Sequence, residues 1–450
     1  MKEFNFEKLP IVEIANEIIM DAVNKGASDI HFDPSQDSLK IRFRIDGILS
    51  DYSIIPSKYK RNMISRIKMI AGMNIMETRL PQDGAIKSKI GERFLDLRVS
   101  SLPTNNAEKI VIRILDYSMS LAGLDNLGFS EDAMEKINRL IKIPNGIILV
   151  TGATGTGKST TLYSILQKLN TEEVNIITVE DPVEMDIEGI NQVQTQSEIG
   201  LTFATILRSI LRQDPNIIMI GEIRDDETAR IAVRASITGH LVLSSLHTNN
   251  SLNTIERLTD MDVERYLLGS SLEGIISQRL ARKVCPECSI KRPTTDYERQ
   301  VFKTVLGKDV LEMVVANKEG CPKCTHGYKG RLAILEVLVM NEKIKDAITN
   351  GANKNTLREL VYTGDVVTLL QDGLNKVVLG ETTFEEILKI VDLENDMTQY
   401  HDDNLKTNLI MAQQAHKADN KTNDKPITSN ITSEFKIEKT NNENIETVEF

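Results

Sequence analysis

The amino-acid sequence predicts an α/β protein of more than one domain, and three observations carry that prediction. A glycine-rich turn, Gly152-Ala-Thr-Gly-Thr-Gly157-Lys158-Ser159, sits between the apolar run Gly146–Val150 and the helical stretch Thr160–Leu169. Helical segments and apolar, strand-like segments alternate from Ser130 to about Val391, the pattern of a parallel sheet covered by helices. At 450 residues the chain is too long for one compact core, so two or three domains are expected.

Taken in order, Pro10–Lys25 carries Ile11, Ile14, Ala15, Ile18, Ile19 and Ala22 at helical spacing, and Gly26 follows as a C-terminal cap. Leu39–Ile45 alternates, with Leu39, Ile41, Phe43 and Ile45 on one face and Lys40, Arg42 and Arg44 on the other. That is a half-buried strand. Asp46-Gly47 is a hairpin signal. Phe94–Ser100 and Ile110–Leu115 read as further strands of a first α/β unit, residues 1–117. A polar, glycine-containing connector, 118–129, leads to a larger unit over 130–284. A cysteine-bearing segment, 285–330, and a helical part, 331–395, follow. Past Leu393 the composition turns to Asn, Thr, Lys and Glu, so 396–450 is expected to be largely disordered, save for a short helix that Leu405–Gln414 can form.

Composition narrows the class. A hydrophobic content of 40% is ordinary for a soluble protein, and the clearest apolar runs, such as Ile147–Val150 and Ile217–Ile220, fall far short of a bilayer span. Met1-Lys-Glu-Phe-Asn-Phe lacks an apolar signal core, so a cytoplasmic location is expected, with membrane contact through a partner. A net charge of −11 argues against wholesale wrapping of nucleic acid, though a local basic groove would be compatible with it.

The glycine-rich turn has the context of a phosphate cradle. Gly152, Gly155 and Gly157 let backbone N–H groups turn inward, Thr154 and Thr156 complete the cradle between them, and the helix behind, opened by Thr160, adds positive dipole. Lys158 suits the β- and γ-oxygens of a nucleoside triphosphate, and the Ser159 hydroxyl suits Mg²⁺.

Asn216–Glu222 is an apolar strand ending in an acid, which places a carboxylate beside such a loop. A second acidic cluster, Glu180–Glu184, follows the strand Asn175–Val179, and a solvated turn explains it equally well. Leu241–Leu246 reads as a buried strand with His240 and His247 at its two ends. An isolated histidine is more often structural, but at a strand end facing nucleotide His247 becomes a γ-phosphate sensor. Arg208 and Arg212 lie four apart on an expected helix Phe203–Gln213, hence on one face. Arg98 and Arg113 sit on strands of the first unit. Spacing alone makes all four surface ion-pair residues.

The only cysteines are Cys285, Cys288, Cys321 and Cys324, two Cys-x-x-Cys knuckles separated by 32 residues. Four thiolates complete a tetrahedral shell for structural Zn²⁺.

Together these motifs resemble the type II secretion and type IV pilus assembly ATPases, a branch of the P-loop motors. The resemblance runs through Gly26-Ala-Ser-Asp-Ile-His-Phe32, Arg79–Gly84, Leu97–Thr104, Ile177–Glu184, Gly200–Ala204, Leu207–Pro215, Gly221–Asp225 and Thr238–Thr248, and covers about residues 8–395. It implies a PAS-like α/β N-terminal domain, a RecA-like ATPase core with a zinc-binding insertion, and C-terminal helices. It also implies a homohexameric ring that binds ATP and Mg²⁺ between the first domain and the core. Glu180–Glu184 matches the family's Asp box, Glu222 its Walker B acid, and His240 and His247 its His box. Arg98, Arg113, Arg208 and Arg212 match phosphate-contacting arginines, which replaces the ion-pair reading. Glu222 is then the residue expected to prepare the attacking water, with Glu180 second.

The resemblance further implies a cytoplasmic motor, held at the membrane by partners, that drives pilin or pseudopilin polymerisation against a polytopic inner-membrane platform protein. Larger members carry an extra N-terminal docking domain, whereas the recognisable module here begins almost at Met1. A retraction motor is the nearest alternative, but those lack the cysteine knuckles. A nucleic-acid translocase is disfavoured by net acidity and by the lack of an aromatic-basic stacking segment.

Overall fold

The computed structural model describes residues 1–90, 93–116, 123–362 and 364–391. The expected tail, 396–450, with its Leu405–Gln414 helix, and part of the connector lie outside the described residues.

Helix Ile11–Asn24 opens the chain and buries Ile14, Ala15, Ile18, Ile19 and Ala22. Gly26 follows at φ 68 and donates its N–H to Val23 O at 3.0 Å, ending the helix. Six strands then form one antiparallel sheet in the order β3-β2-β1-β6-β5-β4. They are β1 (Ala27–Pro34), β2 (Ser38–Ile45), β3 (Ile48–Pro56), β4 (Gln82–Ile90), β5 (Arg93–Pro103) and β6 (Glu108–Asp116). Leu39, Ile41 and Phe43 of β2 are buried under the helices Ile11–Asn24 and Ser57–Ile70. Asp46 and Gly47, at φ 49 and 84, make the two-residue turn that brings Ile45 opposite Ile48. The opposite face of this sheet is charged. Register sets Arg113 of β6 across from Asp29 of β1 and from Arg98 of β5.

The second sheet has seven strands, β15-β12-β7-β11-β10-β8-β9. Its members are β7 (Gly146–Thr151), β8 (Ile176–Glu180), β9 (Asn191–Gln194), β10 (Ile217–Ile220), β11 (Leu241–Leu246), β12 (Leu272–Val284) and β15 (Tyr328–Val339). All neighbours are parallel except β12 and β15. Residues of β7, β10 and β11 alternate between two apolar cores: Ile147, Leu149, Ile218, Ile220 and Val242 face one, Ile148, Val150, Ile217, Met219 and Leu243 the other. Burial on both faces is what makes these strands continuous apolar runs.

The structure differs from the sequence reading in three places. Helix Phe203–Ile210 stops short of Gln213: Leu211 is its C-cap, and the Arg212 and Gln213 N–H groups bond Ser209 O and Ile210 O in tighter i, i+3 turns. Arg212 therefore lies past the helix end. The part expected to be helical, 331–395, begins with β15, whose apolar run Leu332–Leu335 completes the core sheet. The cysteine-bearing segment holds β13 (Ile290–Pro293), helix Asp296–Leu306 and β14 (Glu312–Val315). It shares one apolar core, through Val301, Phe302 and Val305, with helices Leu369–Val378 and Phe384–Ile390. Among the described residues, no helix is long and apolar enough to cross a membrane.

Candidate active site

In a parallel sheet the C-terminal strand ends share one edge, and ligands bind there. Here β7, β8, β10 and β11 end at Thr151, Glu180, Ile220 and Leu246, so the phosphate loop, the acidic cluster, Glu222 and His247 follow on the same edge.

The loop takes the form its glycines permit. Gly155 and Gly157 have φ of 80 and 88, which side chains rarely adopt. A Cβ on Gly157 would also approach Gln278 Nε2 to 2.8 Å. Thr154, Gly155 and Ser159 are exposed at the loop surface, Thr160 is half-buried, and Thr156 braces the turn by donating to Ala153 O at 2.9 Å. Lys158 opens helix Lys158–Leu169 and donates to Gly152 O at 2.9 Å and Ala153 O at 3.2 Å. Burial pushes its ammonium below the ordinary 10.5, while the charge of Glu222 works in the other direction. A buried cation at the N-terminus of a helix suits an anion.

Glu222 and His247 meet: Nε2 of His247 lies 3.0 Å from a Glu222 carboxylate oxygen. Arg224 pairs with the other oxygen and reaches Asp181 at 3.3 Å. Burial raises the Glu222 pKa, but the hydrogen bonds from Arg224 and His247 prevail and hold it below the ordinary 4.5. His240, at the far end of β11, instead places Nδ1 2.8 Å from Ala235 O at a helix end. Glu180 is buried, its carboxylate bonded to Tyr163, to Thr178 at 2.5 Å and to Gln192 at 3.1 Å. Those donors are neutral, and they leave Glu222 the more accessible of the two acids.

The four arginines each have a partner. Arg98 crosses from the first unit to bond Glu184 at 2.7 Å, and Arg113 bonds Asp29 at 3.0 Å. Arg208 pairs with Glu227, and Arg212 folds back to donate to Arg208 O at 2.7 Å. Sequence reasoning passed over Arg224, Tyr163, Gln278 and Arg279. The available signals were Arg224 two residues from an acid and a polar pair inside an apolar strand.

The four cysteine sulfurs lie within 4.8 Å of one another, Cys285–Cys321 at 3.8 Å and Cys288–Cys324 at 3.6 Å. Tetrahedral Zn–S bonds set sulfurs ~3.8 Å apart, so the cluster is compatible with zinc. The Cys321 N–H also donates to Cys324 Sγ at 3.2 Å, which stabilises thiolate charge.

Fold and site together define a P-loop ATPase. The chain belongs to the Type II/IV secretion system protein family, whose model matches residues 5–389. It is 46% identical over 383 residues to "Type II secretion system protein E" of Xanthomonas campestris pv. campestris, covering 85% of this chain and 68% of the relative. It is 45% identical over 381 residues to "Type IV pilus assembly ATPase PilB" of Myxococcus xanthus, covering 84% and 67%. Among solved structures, the pilus retraction motor PilT with bound ADP aligns at a TM-score of 0.57 and 26% identity, over 85% of this chain and 97% of that one.

Proposed function

We propose that this chain is a cytoplasmic, homohexameric ATPase whose hydrolysis cycle drives assembly of a type IV pilus or type II secretion pseudopilus. One observation carries the reading: Arg98 of the first unit bonds Glu184 in the acidic cluster after β8, which supports a site at a seam between two lobes. Backbone N–H groups of the phosphate loop bind phosphate, and Lys158 neutralises the β- and γ-oxygens. Ser159 would hold Mg²⁺, which supplies further positive charge to those oxygens when bound. Glu222 prepares the attacking water, and His247, bonded to Glu222, senses the γ-phosphate. Arg98 and Arg113 close on the phosphates from the first lobe, and Arg208 and Arg212 from the core, each exchanging its present partner for phosphate. Closing and reopening that seam moves one lobe against the other.

The names of the Xanthomonas and Myxococcus relatives support secretion or pilus assembly. The cysteine cluster favours assembly over retraction. One Zn²⁺ held by Cys285, Cys288, Cys321 and Cys324 is a closed, structural site. The ring works at the membrane through a polytopic platform protein and acts on pilins or pseudopilins indirectly. Purified protein with Mg²⁺ is expected to release phosphate from ATP, and Lys158→Ala to abolish both this release and filament assembly in cells. A folded, oligomeric wild-type protein with no ATP turnover would overturn the proposal.

A further inference from the structure

The strand beside the phosphate loop, β12, carries three consecutive polar residues, Ser277-Gln278-Arg279, within a largely buried apolar strand. Strand geometry sends Gln278 to one face, and Ser277 and Arg279 to the other. On the first face Gln278 bonds in two directions. Its Nε2 donates to Thr156 O at 2.8 Å, and its Oε1 accepts from Thr161 Oγ1 at 2.7 Å. The side chain, 3% exposed, thus ties the phosphate loop to the first turn of the helix behind it.

On the second face Arg279 grips the loop after β11. Its Nη2 donates to Asn249 O at 2.9 Å and to Asn249 Oδ1 at 3.0 Å, two residues from His247. Its Nη1 donates to Gln278 O at 3.0 Å, the same carbonyl that a Cβ on Gly152 would meet at 2.6 Å. Ser277 extends the brace, with Thr151 Oγ1 at 3.0 Å and Ser251 Oγ at 3.4 Å. The Ser251 N–H in turn donates to the fully buried Glu336 at 2.9 Å.

We propose that Gln278 and Arg279 are positioning residues that splint two loops to one strand, Gln278 the phosphate loop and Arg279 the His247-bearing loop, which it registers against Glu222. The inference rests on the ATPase reading above. β15 pairs with β12 at both positions, Gln278 with Leu335 and Arg279 with Ile334, so one backbone anchors both side chains just past the end of the β12–β7 pairing at Ser277. The two side chains have separable duties. Gln278 shapes the surface that binds phosphate, while Arg279 places the groups that act during hydrolysis.

The test uses the full chain, with ATP and ADP as probes. Gln278→Met keeps the volume and loses both hydrogen bonds. It is expected to weaken ATP and ADP binding about tenfold while kcat at saturation stays within about threefold. Arg279→Lys keeps the charge but cannot span both Asn249 oxygens. It is expected to lower kcat about tenfold with affinity within about threefold. Asn249→Ala, an exposed truncation, should reproduce part of that kcat loss and add nothing to Arg279→Lys. This pair keeps the test alive if Gln278→Met does not fold. Parallel losses of kcat and affinity in both strand variants, tracking a fall in melting temperature, would reduce the splint to ordinary packing. So would additive effects of Arg279→Lys and Asn249→Ala, or variants indistinguishable from wild type. Wild-type protein without hydrolysis would count against the ATPase reading instead.

Discussion

Glu222→Gln separates chemistry from stability at this site. The side chain of Glu222 is 17% exposed, but its partners His247 and Arg224 are 50% and 57% exposed. Ion pairs that open to water are worth about 0–1 kcal/mol. Glutamine keeps the shape and one acceptor oxygen, and Arg224 retains Asp181 at 3.3 Å. The substitution should therefore cost less than about 1 kcal/mol of stability, or no more than about 4 °C in melting temperature. Loss of a positioned general base, in contrast, lowers the rate by about 10²–10⁴. That corresponds to about 2.7–5.5 kcal/mol of barrier, several times the stability term. The assay is phosphate release at saturating ATP, with nucleotide binding and melting measured on the same preparation. ATP should still bind, the fold should hold, and turnover should nearly vanish. Hydrolysis within about threefold of wild type would remove the water-preparing role from Glu222 and leave Glu180 as the remaining acid.

Lys158→Met should weaken ATP binding by about one to two powers of ten while the melting temperature holds or rises. The sign follows from the depressed Lys158 pKa: burial disfavours its charged form, so the ammonium costs stability at neutral pH. A marked fall in melting temperature would contradict this. Glu222, with its pKa held below 4.5, keeps its charge at and above that value and loses its stabilising contribution only as pH falls through the lower, folded-state value. The pH–rate profile should therefore lack an acid limb from Glu222 above about pH 5, and a limb there that disappears in Glu222→Gln would reverse the assignment. Metal analysis should return about one zinc per chain, and Cys288→Ser should lower that content and the melting temperature. A metal-free, fully folded wild-type protein would rule out the zinc assignment. Arg98 and Glu184 are each about a third exposed, so freeing Arg98 with Glu184→Gln should tighten ATP binding by no more than about fivefold. Weaker binding would argue against Arg98 as a phosphate ligand.

Legibility in the sequence followed the range of the forces involved. β2 was readable because burial of Leu39, Ile41 and Phe43 on one face writes an alternation into adjacent residues. The phosphate loop was readable because each glycine answers a local backbone need, such as φ 88 at Gly157. Pairings between distant residues left no such trace. Gln278 meets Thr156 across 122 residues, and Arg98 meets Glu184 across 86. Arg212 shows the limit of local reasoning: i, i+4 spacing implies a shared face only while the helix continues, and it ends at Ile210. β15 was missed because an apolar run alone does not name its partner, which here is a strand on the far side of the cysteine-bearing segment.

The contacts between the lobes bear on the motor reading in a way that periodicity cannot. Besides Arg98–Glu184, the Asp46 carboxylate at the β2–β3 turn accepts from Gly330 N–H at 3.1 Å, at the start of β15. Both contacts are polar and partly open to water, so each is worth about 1 kcal/mol or less. Parting the two would cost about 1–2 kcal/mol, equivalent to roughly a 5- to 30-fold difference in affinity between open and closed lobes. A nucleotide that gains even one charge-assisted bond on closure exceeds that. One ion pair and one hydrogen bond are contacts that a nucleotide at the proposed seam can exchange for its own.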